Sequence, residues 1–139
     1  MGYQVSFEQH PGYLQATVTG TNDQESVMQY LQDVRAECKR LGCFRVLIDE
    51  RLEGPRLAVD EVFTIASEGA MDAMGIFEAM AYVDPQMGQM AEFAETVAVN
   101  RGMPVKIFDS IEAARTWLLE QAARPDARNI FTGEDETQP

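Results

Sequence analysis

The chain has 139 residues, 45% hydrophobic and 24% charged, which is typical of a single globular domain. Its formal net charge of −12 argues against a nucleic-acid partner, because phosphate contacts require clustered Lys and Arg side chains. The sequence has neither the run of about 20 apolar residues that spans a membrane nor a signal-peptide pattern, so a cytoplasmic protein without a membrane span is expected.

The first two elements are predicted to form an antiparallel β-hairpin. Residues 3–7 and 13–20 alternate between apolar and polar side chains, and the Pro-Gly pair at 11–12 marks a turn between them. His10, the single histidine, belongs to this turn. It is expected to be a loop residue and not a catalytic base.

A helix is predicted next, capped by Asn22 or Asp23 and ended by Gly42. Five apolar residues step by three and four along one of its faces: Val27, Leu31, Val34, Cys38 and Leu41. The two cysteines, Cys38 and Cys43, are expected to be buried structural thiols, since two cysteines with one distant histidine are not a metal-binding pattern.

The remaining segments alternate between strand and helix patterns. Strands are predicted at 44–49, 75–84 and 104–108, and helices at about 57–67, 85–102 and 109–123. Asp109 is the expected cap of the last helix, and Trp117 its packing anchor. The order β-β-α-β-α-β-α-β-α predicts an α/β domain over residues 1–123, with a mixed sheet, an N-terminal hairpin and βαβ crossovers. Residues 124–139 are polar and are expected to form a mobile tail.

Several segments resemble the SpoIIAA-like family, which is related to the STAS domains of anti-sigma factor antagonists. They are "GYLQATVTG", "FRVLID", "MAYV", "FAETVAVNRGMPVKIF" and "DSIEAARTWL". The resemblance covers about residues 3–122. It implies a small α/β sandwich whose helices flank the sheet on one side, a topology also found in CRAL-TRIO lipid carriers.

The same resemblance bears on regulation. In anti-sigma factor antagonists a kinase phosphorylates a Ser or Thr just after an Asp at the start of the second helix. Here Asp60 matches that Asp, and Glu61 stands at about the position of the hydroxyl residue. Because Glu61 cannot be phosphorylated, the kinase-operated switch is not expected in this chain.

Catalytic patterns are weak in this sequence. Asp49 is the last residue of a predicted strand and Glu50 follows it directly, so their side chains should point to opposite faces of the sheet and not share a site unless the strand has already ended. The sequence contains no glycine-rich nucleotide-binding motif, and its one histidine cannot complete a nucleophilic triad. We therefore expect a protein that is not an enzyme and that uses no cofactor and no metal.

One candidate binding surface is the polar segment that follows the third strand. It lies where ligands of open α/β sheets commonly bind, at the carboxyl end of a parallel strand. Its candidate residues for docking a protein partner are Asp49, Glu50, Arg51, Glu53, Arg56, Asp60 and Glu61. Basic residues cluster between 35 and 56, and none occurs from 57 to 100, so charge could steer such a partner. The plainer interpretation is an ordinary polar loop.

The alternative site is a cleft lined by methionine. Six of the eight methionines lie between Met71 and Met103, and methionine suits surfaces that accept varied apolar partners. The candidate cleft residues are Met71, Met74, Met87 and Met90. They predict a carrier or sensor of a small apolar, lipid-like ligand, unless these side chains only fill the core. A homodimer formed through the hairpin edge is also open.

Overall fold

The structure, a computed structural model, describes residues 2–73, 76–84 and 89–123. It contains five strands: β1 (Tyr3–His10), β2 (Tyr13–Thr21), β3 (Arg45–Glu53), β4 (Ala79–Val83) and β5 (Val105–Phe108). It contains four helices: α1 (Gln24–Leu41), α2 (Val59–Ala73), α3 (Gln89–Asn100) and α4 (Ile111–Ala123). This order is the one predicted from the sequence. No described helix is both long enough and apolar enough to cross a membrane.

The five strands form one mixed sheet in the order β1-β2-β3-β4-β5. β1 pairs with β2 in antiparallel fashion, with His10 opposite Tyr13 at the turn. The β2-β3, β3-β4 and β4-β5 pairs are all parallel. The predicted α/β fold, with an N-terminal hairpin edging a parallel sheet, is therefore confirmed.

The core has two parts because β3 and β4 are buried on both faces of the sheet. On one face, side chains from β2, β3 and β4 pack with α1 and with Ala98 of α3, and Tyr30, Val34 and Cys38 are fully buried there. On the other face, Leu47, Ala81 and Val83 pack against Ala114 and Leu118 of α4. The expectation that helices flank the sheet on one side is therefore wrong for α4.

The helix ends mostly follow the predicted capping chemistry. The Asp23 carboxylate accepts a hydrogen bond of 2.8 Å from the Ser26 backbone N–H at the start of α1. Gly42 ends α1 with a left-handed φ of 69°. The predicted cap of α4, by contrast, is corrected by one residue: the Ser110 hydroxyl, and not Asp109, accepts the Ala113 N–H at 3.2 Å. Ser110 stands one residue before the first helical turn, where a side-chain oxygen reaches that N–H.

Candidate functional site

A cavity of about 190 Å³ lies between the sheet and the three helices α1, α2 and α3. Its walls are mostly apolar. They include Leu31 of α1, Ile65 of α2, Met80 of β4, Ala98 of α3 and Val105 of β5. The cavity reaches the carboxyl ends of β3 and β4, the position at which ligands commonly bind in open α/β sheets.

Helix α2 forms the roof of this cavity. It packs sideways against α1 and α3. Its inner side chains, Val62, Ile65 and Ala66, face the cavity across from the sheet residues Met80 and Val105. Val62 is buried, while Ile65 and Ala66 are only half-buried. The roof therefore lies over a space that its own side chains leave unfilled.

One end of the cavity is polar, and Glu50 is its central group. Glu50 is 9% exposed, and its carboxylate accepts hydrogen bonds from the hydroxyls of Tyr30 and Tyr82, which also contact each other. Asp84 forms a further hydrogen bond with the Glu50 carboxyl. Glu50, Tyr82 and Asp84 all line the cavity.

This environment favours the protonated form of Glu50. Burial, which removes water from the carboxylate, raises the pKa of Glu50 to about 7, and the neighbouring Asp84 also raises it. The two tyrosine hydroxyls act in the opposite direction, since they donate to the charged form. Burial also raises the pKa values of Tyr30 and Tyr82 well above their usual range, so both hydroxyls stay protonated and remain donors.

The predicted docking residues divide between two faces of the sheet. Asp49 is buried on the α4 face, where its carboxylate pairs with the exposed Arg51 at 2.8 Å. Glu50 points to the opposite face, into the cavity. Glu53 is exposed at the end of β3, and the exposed Arg56 contributes to the cavity wall.

The two acidic residues at the start of α2 have different surroundings. Asp60 is exposed. The Glu61 carboxylate accepts a hydrogen bond of 2.8 Å from the Ala58 N–H, the arrangement by which a third-position Glu caps a helix. Glu61, which stands at about the position of the phosphorylated Ser or Thr of anti-sigma factor antagonists, thus stabilises the start of α2.

The predicted methionine cleft is described only in part. Met90 lies in the cavity wall. Met74 and Met87 fall outside the described residues, as does the tail at 124–139, and the side chain of Met71 is also outside the description. Three other methionines, Met28, Met80 and Met103, line the cavity as well.

Sequence reasoning missed the polar cluster around Glu50. Tyr30 and Tyr82 stand in apolar stretches and give no separate signal, because a tyrosine in such a pattern is usually a core residue. A usable signal was Glu50 itself, a carboxylate directly after a strand predicted to be buried. A buried carboxylate needs hydrogen-bond donors, and tyrosines on neighbouring elements can supply them.

The other reactive side chains lie away from this cluster. The His10 ring stacks on Tyr13 at 4.9 Å in the hairpin. Cys38 and Cys43 are free thiols, and burial raises the pKa of Cys38 to about 12. Within the described ranges, no group of three or more His, Cys, Asp or Glu side chains is arranged to hold a metal ion.

Comparison with known proteins supports the fold. No protein-family model matches the sequence, and no curated protein matches it. Among solved structures, the chain is similar to an uncharacterized protein from the DUF3478 family with a SpoIIAA-like fold, from Shewanella loihica PV-4. The match covers 84% of this chain and 94% of that one, with 18% sequence identity and a TM-score of 0.52. The chain therefore has a SpoIIAA-like fold, as its resemblance to that family implied.

Proposed function

We propose that this protein is a non-enzymatic binding module that holds a small, mostly apolar ligand in the cavity beneath α2. The observation that carries the proposal is the cavity of about 190 Å³ on the face of the sheet that α1, α2 and α3 cover. Protein interiors are normally packed to the density of organic crystals, with few voids larger than a water molecule. A space of this size costs stability when empty, and a ligand would recover that cost.

The wall of the cavity fits such a ligand. Apolar side chains from all three helices and three strands form most of its surface, and a few polar groups converge at one end. The exposed side chains Gln32 and Arg56 also belong to the wall, so the cavity has a route to solvent. Met28, Met90 and Met103 provide flexible, polarisable surface that can adapt to a ligand's shape.

The test is mass spectrometry of gently purified protein, under native and then denaturing conditions. A ligand that fills the cavity should add roughly 100–200 Da to the native mass and disappear on denaturation. Ala66→Phe places a ring in the cavity and should remove the added mass. Ala113→Phe is the matched control, because it makes the same change on the exposed surface of α4.

A second readout covers a ligand that is lost during purification. In a screen of small aromatic and aliphatic compounds, at least one compound should raise the melting temperature of the wild type and of Ala113→Phe. The same compound should not raise that of Ala66→Phe. A compound present at 100 times its Kd adds about 2.7 kcal/mol to the free energy of unfolding. Bare protein in the mass spectrum and no stabilising compound in the screen would together contradict ligand binding.

Docking of a protein partner is the second candidate. It is supported by the outer face of α2, where Val59 and Phe63 are 57% and 43% exposed. They lie four residues apart, so they share one side of the helix. The exposed residues Arg56 and Asp60 are close to them in sequence, which would place charges beside an apolar patch.

This second candidate is tested by cross-linking the protein to its partner in the source cells and purifying the cross-linked complex. Val59→Asp combined with Phe63→Asp should abolish capture of the partner, whereas Leu119→Asp on the exposed side of α4 should not. Arg56→Glu should weaken capture through loss of charge complementarity. Arg51→Glu tests the opposite face of the sheet, because Arg51 pairs with Asp49 on the α4 face. Equal capture by wild type and the α2 double variant would remove the surface from consideration.

A further inference from the structure

The polar end of the cavity has an arrangement that a purely apolar ligand would not use. Glu50 is held by the hydroxyls of Tyr30 and Tyr82, and its carboxyl is hydrogen-bonded to that of Asp84. Two carboxyl groups side by side and away from water form a strongly anionic place, because two adjacent negative charges repel each other there. A ligand's cationic donor would be stabilised by both carboxyls at this place.

We propose that the ligand is a small apolar amine, whose ammonium group binds the Glu50 and Asp84 carboxyls while its apolar body fills the space beneath α2. This inference rests on the proposed ligand-binding function. The ammonium donates hydrogen bonds to the two carboxylates, and any proton that Glu50 carries in the empty cavity is released to solvent when the ammonium binds. Charge-assisted hydrogen bonds of this kind are about twice as strong as neutral ones.

The volume of the cavity limits the size of the amine. An apolar cavity of about 150 Å³ in another protein accommodates benzene. The 190 Å³ found here leaves room for a ring with a side chain of a few atoms. A long-chain lipid is too large unless α2 moves away from the sheet.

The charged groups around the cavity also favour a cation at its buried end, because Glu50, the central acidic group there, is more buried than either arginine of the wall. The groups that face Glu50 are Tyr30 from α1, Tyr82 from β4, and Asp84, which directly follows β4. The half-buried Arg35 and the exposed Arg56 line the cavity too. Solvent screens a charge at or near the surface more than one in the interior, so the buried carboxyls should outweigh both arginines in selecting the ligand's charge. An anionic ligand bound near the arginines is the competing outcome.

The test compares three probes of similar size by isothermal titration calorimetry at about pH 8: 2-phenylethylamine, 2-phenylethanol and phenylacetate. The amine should bind about tenfold more tightly than the alcohol, and the acid should bind most weakly. Glu50→Gln should abolish the preference for the amine and leave the affinity for the alcohol within about threefold. Circular dichroism and the retained alcohol affinity would show that the variant is folded.

The pH dependence provides a measurement that needs no variant. Because the pKa of Glu50 is about 7, its carboxylate fraction rises about tenfold from pH 6 to pH 8, while the amine stays protonated. The affinity for 2-phenylethylamine should rise by about the same factor, and that for 2-phenylethanol should stay flat.

Three results would overturn the inference. Equal affinities for amine and alcohol, with both lost in Ala66→Phe, would remove the amine preference and leave the proposed ligand-binding function standing. A preference for phenylacetate would assign the charged group to the arginines. If none of the three probes bound, the amine inference would fail, and the mass-spectrometry experiment would decide separately whether the cavity holds any ligand.

Discussion

Replacing Glu50 by glutamine should make the protein more stable at alkaline pH. Glu50 is buried, and its pKa is raised from an ordinary value of 4.5 to about 7, chiefly because burial disfavours its charged form. The folded state therefore binds this proton more tightly than the unfolded state. The resulting stability is fully present below about pH 4.5 and is lost as the pH rises through 7.

The size of the effect follows from the shift. A rise from 4.5 to about 7 corresponds to about 3 kcal/mol in the free energy of unfolding between acid and alkaline conditions. Glutamine is neutral at every pH and matches the size of the protonated acid. The variant should therefore resemble the wild type near pH 4.5 and exceed its stability by up to about 3 kcal/mol near pH 9, or about 9 °C in melting temperature.

Urea unfolding of both proteins across this pH range measures the difference directly, since contributions from all other groups cancel in the comparison. Glu53→Gln is the matched control: it removes an exposed carboxylate from the end of the same strand, and it should change stability by less than about 0.5 kcal/mol at any pH. A difference between Glu50→Gln and wild type that stays constant from pH 5 to pH 9 would refute the burial of a titrating carboxyl.

Three further predictions concern the fold. Gly20→Ala should lower the free energy of unfolding in urea by about 2–4 kcal/mol, because the new Cβ would lie 2.6 Å from the backbone of β1 at a φ of +130°. Gly42→Ala, where the space is open, should lower it by only about 1 kcal/mol. Equal losses in the two variants would contradict this account. Asp23→Ala should lower stability by about 1 kcal/mol through loss of the α1 cap, whereas Asp23→Asn, which keeps an acceptor, should lower it by less. In a thiol-reactivity assay Cys43 should react before the fully buried Cys38, whose pKa is about 12; faster modification of Cys38 in the folded protein would oppose this assignment.

The sequence by itself determined the order and type of the elements. Alternation of apolar and polar residues identified the hairpin, and the apolar stripe of α1 identified the face that is buried. These signals are local, because a strand repeats every two residues and a helix every 3.6. The strand–helix alternation then predicted parallel pairing, which β2 to β5 confirm.

The tertiary structure decided the side of the sheet on which α4 packs. Helices α1, α2 and α3 each connect neighbouring parallel strands along a sheet ordered β1 to β5, so right-handed crossovers place all three on the same face. Helix α4 follows β5 and, within the described residues, leads to no further strand of this sheet. The handedness rule does not constrain it, and it packs on the face that the other helices leave uncovered.

The tertiary structure also assembled the polar end of the cavity. The sequence identified Glu50 as a candidate binding residue, but its partners Tyr30 and Tyr82 stand 20 and 32 positions away along the chain. Their meeting depends on the parallel register that places β4 beside β3 and on the face that α1 presents to the sheet. Local periodicity specifies neither quantity, so the cavity and its buried carboxyl emerge only when the elements pack together.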